Sequence, residues 1–328
     1  MVYLAAGQKG VWSLMEYRLY PLEDQSRLDE LCALFAKGLA DTTPEYWKWK
    51  HFSENGQPKG MILVAEAEDG SIAGMYAQQP AVYESGSDRI FVVNLMDLII
   101  DPAHRGSGLM KKLYSFVVDF YSKAGFSGYI GFPNHNSYPV FLKYRATDMG
   151  DIYAYNNFKR LLPVYLNRTC RKHGAWEIRF EDPMPGDLFY PVNEEACQLR
   201  RSDAFMKWKF VDSPDGPFRW LTIRKNGRLM GYMVTKTICG RIRRAVNIYD
   251  WALRDEVPDE ILKSAVKLLH THGNWVSLWG RYSDAVLDRW ARAGLSRKSE
   301  QGTHFVLHTF GDRTMPDMWH VTRADLDY

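Results

Sequence analysis

Arg105-Gly106-Ser107-Gly108, followed at once by Leu109, Met110, Lys111 and Lys112, sets two glycines and three cations side by side. Residue types in that order suit the holding of an anion. Glycine lets a ligand come close to the main chain, and the first N–H groups of a helix have no partner within it. The helix dipole adds positive potential at the same place. Lys111 and Lys112 oppose that dipole at a cost of roughly 0.3 kcal/mol each, and an anion on the turn reverses the sign. The alternative is an ordinary strand-to-helix turn whose glycines serve geometry alone. Neither a Walker loop nor a dinucleotide fingerprint fits, because Gly-x-x-x-x-Gly-Lys and Gly-x-Gly-x-x-Gly are absent here.

The elements that must position this turn are readable on both sides of it. Val93, Leu95, Ile99 and Ile100 mark a strand that closes at Asp101-Pro102, a turn signal. Leu109, Leu113, Phe116, Val117 and Phe120 recur at helical spacing, and the helix stops at Gly125. A second strand then leads into Gly131-Phe132-Pro133-Asn134-His135-Asn136-Ser137-Tyr138. The order is strand, glycine turn, helix, strand.

The run from Ile99 to Leu109 resembles the acyl-CoA site of the GNAT superfamily of N-acyltransferases. That family's signature is Arg/Gln-x-x-Gly-x-Gly/Ala after a Val-x-Pro strand end. Arg105, Gly108 and the strand end match, with Ile100 for Val and Met110 where the family has Gly or Ala. The resemblance implies acyl-CoA, acetyl-CoA or longer, as co-substrate, and no metal. It places the diphosphate on Arg105, Gly106, Ser107, Gly108, Leu109 and Met110. It places the pantetheine arm along the main chain of Leu98, Ile99 and Ile100, where an N–H would also stabilise the oxyanion of the tetrahedral intermediate. Asn134 and Ser137 would open the helix that flanks the CoA arm; both are also good helix caps. Where many family members carry a tyrosine that protonates the leaving thiolate, this chain has Phe141. Tyr138 and Tyr144 are near, on other helix faces. A thiolate near its solution pKa, about 8.5, leaves without a side-chain acid.

The chain repeats itself. Lys48-Trp49-Lys50 recurs as Lys207-Trp208-Lys209, a hairpin turning at Asp69-Gly70 recurs at Asn226-Gly227, and Val93-Asn94-Leu95-Met96-Asp97 recurs as Val246-Asn247-Ile248-Tyr249-Asp250. Each hairpin carries a glycine beyond its turn, Gly74 and Gly231. Landmarks in one order at nearly constant offset indicate two copies of one α/β unit. After its last shared strand, the second copy reads Arg254-Asp255-Glu256-Val257-Pro258-Asp259-Glu260. It has no glycine, and its four carboxylates repel a phosphate, so one CoA site per chain is expected, in the first copy. For the acceptor's proton the candidates are Asp97 and His135, the latter with a reference pKa near neutral. Asp97 recurs as Asp250 in the copy without a CoA turn, which favours a structural role; His135 in a polar turn is equally well read as solvated. Trp49 and Trp208 read as core anchors.

Composition bounds the rest. At 328 residues and 46% hydrophobic content, a sizeable core and about two domains are expected. A net charge of +3 gives no reason for a nucleic-acid partner, and Arg241-Ile242-Arg243-Arg244 reads as a solvated turn. No apolar run is long enough for a membrane span and no signal peptide is read. Four separated cysteines give no zinc or disulfide framework and suit the cytoplasm.

The fold expected is α/β (α+β): two tandem GNAT-like lobes, each a mixed, mostly antiparallel sheet flanked by helices. Residues 1–160 form the first lobe, 161–190 a linker containing Asp182-Pro183-Met184-Pro185-Gly186-Asp187, and 191–328 the degenerate second lobe. The expected function is transfer of an acyl group to a primary amine by direct attack. The Phe132-Pro133-Asn134 segment and the tail from Trp319 to Asp327 resemble a subgroup acting on amino sugars carried by nucleotides. Two other readings are a peptidoglycan-type aminoacyltransferase, which draws on aminoacyl-tRNA, and a non-catalytic CoA-binding module.

Overall fold

The computed structural model describes residues 3–6, 12–23, 25–38, 40–159, 166–241, 243–297 and 302–326. The first half contains strands β1 (Arg18–Pro21), β2 (Met61–Glu66), β3 (Ile72–Ser85), β4 (Asp88–Ile100), β5 (Gly128–Gly131) and β6 (Thr147–Phe158). Its helices are α1 (Leu28–Ala36), α2 (Pro44–Trp47), α3 (Leu109–Lys123) and α4 (Tyr138–Lys143). A separate hairpin, Tyr3–Ala6 with Trp12–Met15, precedes them. β1 to β4 pair antiparallel in sequence order, and β5 joins β4 in parallel.

The second half supplies β7 (Cys170–His173), β8 (Trp176–Glu181), β9 (Cys197–Leu199), β10 (Arg219–Lys225), β11 (Arg228–Cys239) and β12 (Arg244–Leu253). It continues with β13 (Trp275–Arg281), β14 (Ser296–Arg297), β15 (Thr303–Thr309) and β16 (Trp319–Thr322), and holds α5 (Asp203–Phe210), α6 (Asp259–Leu269) and α7 (Asp284–Arg292). Here too three antiparallel strands, β10 to β12, are followed by a parallel partner, β13. The repeat in the sequence is a repeat in topology.

The repeated glycines have a packing reason. A Cβ on Gly74 would stand 3.1 Å from the Ile99 carbonyl oxygen and 3.3 Å from Leu109, the first residue of α3. On Gly231 it would meet Leu253 at 2.5 Å. Both hairpins need a bare backbone where the next strand crosses.

The lobes are joined by strand exchange. β15, from the second half, pairs with β5 and β6, while β6 runs on to pair with β13. β9 pairs with β3 and with β16, and β16 with β13, so eight strands close into a ring. Residues 161–165 of the expected linker, and the expected boundary between residues 160 and 161, lie outside the described residues. The rest of that segment is more than a linker: β7 and β8 form a hairpin that widens the second lobe's sheet through β10. Its backbone N–H and C=O groups are satisfied by the sheet rather than by water.

The ring is filled by Tyr83, Val92, Ile130, Ile152, Phe305 and Trp319 with Trp49 and Trp208, all buried. Burying each such side chain contributes about 1.5–3 kcal/mol, so the lobes share one apolar interior. On the other face of the first lobe, α3 buries Leu109, Leu113, Val117 and Tyr121 against Val93 and Leu95. Phe120, expected on that buried face, is 45% exposed, because the strict four-residue step carries the stripe to Tyr121. Among the described residues, no helix is long and apolar enough to cross a membrane.

Candidate active site

β4 and β5 pair only at Val92, Val93 and Asn94 with Gly128, Tyr129 and Ile130, and then diverge. β4 carries a bulge where they part. Met75 pairs with Ile99 and Ala77 with Met96, so Tyr76 faces both Asp97 and Leu98, and Asp97 takes φ +47°. A bulge bends its strand and re-aims side chains; here it stands at the fork. The fork opens into a cavity of about 480 Å³, walled by Tyr76, Leu98, Met110, Tyr114 and Phe141 among others. Thr303 and Leu326, from the second half, complete the wall. Among the described residues, no strand lies beside the main-chain edge of Leu98, Ile99 and Ile100 that faces away from β3.

The glycine turn stands next to this cavity, joined to it by Met110. Gly106 and Gly108 have φ of +80° and +79°, which glycine adopts without strain. No N–H group from Gly106 to Met110 donates to another described residue. The turn is braced from behind. Asp101 accepts from the Ala103 N–H at 2.9 Å and pairs with Lys37 at 2.7 Å; the Ser107 hydroxyl donates to the His104 carbonyl at 2.7 Å. The Arg105 Nε–H donates to the Ile100 carbonyl at 3.3 Å, and Lys112 sits over the Tyr17 ring. Burial lowers the Lys112 pKa, against the opposing pull of the Glu16 charge.

The remaining sequence candidates fare differently. Asn134 and Ser137 line the cavity, and Asn134 caps the turn into α4, its side-chain oxygen accepting from the N–H groups of Asn136 and Ser137 at 3.0 Å each. His135 is exposed and does not line the cavity, so the structure does not bring it together with Asp97. Asp97 does line it, but its carboxylate lies 2.6 Å from the Lys50 ammonium and 3.8 Å from His51. Burial works to raise its pKa; the attraction of Lys50 and His51 outweighs this and holds it well below the usual carboxylate range. The Asp97 carboxylate is thus held as the partner of Lys50, on the wall of the cavity.

Tyr76, Tyr114, Asn94 and Lys50 were missed as site residues. Lys50 stands out in the sequence only as part of a repeated Lys-Trp-Lys, Tyr114 lies on a helix marked by its apolar periodicity, and Tyr76 on a hairpin marked by its glycines. An isolated tyrosine in the run Ala73 to Ala77 was the signal available for Tyr76.

Residues 27–145 match the model described as the acetyltransferase (GNAT) family. The N-terminal lobe has the GNAT fold. Solved structures agree on the fold at low sequence identity. A conserved protein of unknown function from Enterococcus faecalis V583, described as a probable N-acyltransferase, is similar at 12% identity and TM-score 0.67, covering 90% of this chain and 72% of that one. A GCN5-related N-acetyltransferase from Anabaena variabilis gives 14% identity and TM-score 0.62, covering 90% and 73%. A tandem GNAT protein from the clavulanic acid biosynthesis pathway gives 13% and 0.57, covering 91% and 100%. No curated protein sequence matches the chain.

The second GNAT-like lobe has the same fork, filled by the chain itself. β12 and β13 pair from Ala245 with Trp275 to Ile248 with Leu278 and then part, as β4 and β5 do. On the edge of β13 thus released, β16 pairs at Gly280 and Arg281. Arg201 fastens this insertion, donating to Asp250 at 2.9 Å and to the Thr322 hydroxyl at 2.8 Å, and pairing with Asp325 at 2.8 Å. Asp250, the repeat counterpart of Asp97, is thus a clasp for the C-terminal strand. At the start of α6, Asp259 pairs with Arg289 and Arg292 where the first lobe has its glycine turn.

Proposed function

We propose that this chain transfers an acyl group from acyl-CoA, acetyl or longer, to a primary amine within a ternary complex, using the first lobe's fork alone. The observation that carries the reading is the run of N–H groups from Gly106 to Met110 that donate to no other described residue, beside an open fork. Those N–H groups, with Arg105 and the α3 dipole, would hold the diphosphate. The pantetheine would lie along the free edge of Leu98, Ile99 and Ile100, past Asn134 and Ser137, and an N–H at the bulge would face the oxyanion. Acyl transfer runs without a covalent enzyme intermediate, since among the described residues no Cys/His or Ser/His pair lines the cavity.

The amine would enter from the ring side, between Asn94, Thr303 and Leu326. With Asp97 committed to Lys50 and His135 off the wall, the proton released by the amine passes to solvent, and Asp97 serves by fixing the bulge. The finer reading, an amino sugar on a nucleotide carrier, rests on Phe132-Pro133-Asn134, which line the cavity, and on the tail, of which Asp327 lies outside the described residues. Trp319 of that tail is buried in the ring core and does not wall the cavity.

Free-thiol release from acetyl-CoA in the presence of a panel of amines, nucleotide amino sugars included, tests the reading. Thiol release that depends on the amine supports it. A CoA-induced thermal shift without release points to a binding module; no shift, but turnover of charged tRNA, points to an aminoacyltransferase.

A further inference from the structure

We propose that the Tyr76 hydroxyl is a catalytic hydrogen-bond donor to the sulfur that leaves the thioester; this rests on the acyl-transfer reading above. Tyr76 is 2% exposed, yet its hydroxyl makes no hydrogen bond to any described residue, while the residue lines the cavity. The hydroxyl oxygen keeps some accessible surface, so it is free to meet a ligand atom in the cavity that the residue lines. The neighbouring phenols are already engaged. The Tyr114 and Tyr129 hydroxyls share a hydrogen bond of 3.0 Å, and Tyr114 also reaches the Tyr144 carbonyl at 3.3 Å.

Position fits the leaving group. Tyr76 stands across from the bulge at Asp97 and Leu98, at the place where the fork opens. The wall beside it is apolar, made by Leu95, Leu98 and Phe141, and none of these can donate. Of these four side chains the Tyr76 hydroxyl is the one that can donate to a sulfur gaining negative charge; Asn94 and Thr303 are further donors in the same wall.

The step balances without a proton leaving the phenol. The amine nitrogen attacks the thioester carbon, forming the C–N bond and moving the carbonyl pair onto oxygen. Collapse restores the C=O bond and breaks C–S, and sulfur departs with the bonding pair as thiolate. The amine proton goes to solvent. Burial, and secondarily the nearby Tyr114, hold the Tyr76 phenol far above its ordinary pKa, so it stays a neutral donor throughout. A donor aimed at charge that appears only in the transition state acts on kcat.

The test compares the full-length chain with Tyr76→Phe on two donors, acetyl-CoA and the 4-nitrothiophenyl ester of acetic acid, at saturating amine. The expected result is an unchanged thermal shift with CoA, a kcat on acetyl-CoA lower by about 10²-fold, and a much smaller loss on the aryl thioester, whose stable thiolate needs no help. Full activity of Tyr76→Phe, or equal loss on both donors, overturns the assignment. An active wild type with an equally active variant ends the Tyr76 role alone. A wild type that releases no thiol with any amine ends the acyl-transfer reading and this role with it.

Discussion

Trp49 and Trp208 lie stacked with ring centroids 4.9 Å apart and planes 16° from parallel, and each indole N–H donates to the other's main-chain carbonyl, at 2.8 and 2.9 Å. Such reciprocity follows when two copies of one motif meet about an approximate twofold axis. The next residue breaks the symmetry: Lys50 pairs with Asp97, whereas Lys209 donates to the Leu326 carbonyl. The core contact has stayed common to both lobes, and the residue beside it has gone to separate tasks.

Truncating either partner should be costly. Trp208→Ala is expected to lose about 3–5 kcal/mol of unfolding free energy. Trp208→Phe keeps most of the area but leaves the Trp49 carbonyl unpaired, at a cost of about 1–3 kcal/mol. Urea unfolding of both variants measures this, and a double-mutant cycle with Trp49→Phe should show coupling, since the two residues share both bonds.

Lys50→Met leaves the Asp97 carboxylate buried without its ammonium. The expected destabilisation is about 3–5 kcal/mol, and Asp97→Asn in the same background should recover part of it, because the unpaired charge is then gone. Recovery in the urea midpoint identifies the charge, rather than lost packing, as the source.

Gly108→Val asks a β-branched residue to take φ +79° at the first lobe's turn. The strain is local and of order 1–3 kcal/mol, so the variant should fold, with a lower melting temperature. Its thermal shift with CoA should vanish, whereas wild type at 100 times Kd gains about 2.7 kcal/mol. A folded variant with the wild-type shift would refute contact between this turn and the ligand.

Acid should weaken the second lobe through His270. Burial, and then the charge of Lys159, lower its pKa to about 4, and it is 3% exposed. The unfolded state takes up a proton near pH 6.5 while the folded state resists until about 4, so stability is complete above the first value and is lost as pH falls between them. At pH 5 the loss from this group is about 2 kcal/mol. His270→Gln should flatten the slope of unfolding free energy against pH across that window.

What could be read in the sequence was local. A glycine turn, the strand and helix beside it, and a repeated order of landmarks each depend on residues near one another, so Arg105 to Met110 and the two lobes were legible. Strand exchange was not, because nothing in Trp319-His320-Val321-Thr322 names the strand it will join. The acidic start of α6, where Asp259 pairs with Arg289 and Arg292, was legible, yet the filling of the second fork by β16 is a long-range fact. Likewise Asp97 could be singled out but not its partner: the Lys50 ammonium that holds it ionised arrives from an aromatic helical turn far upstream.

A structure of the chain in complex with CoA decides where the donor is held. The diphosphate is expected within hydrogen-bonding distance of the N–H groups from Gly106 to Met110, with the pantetheine beside Leu98 to Ile100. A diphosphate seated elsewhere, or at the start of α6 in the second lobe, would contradict it.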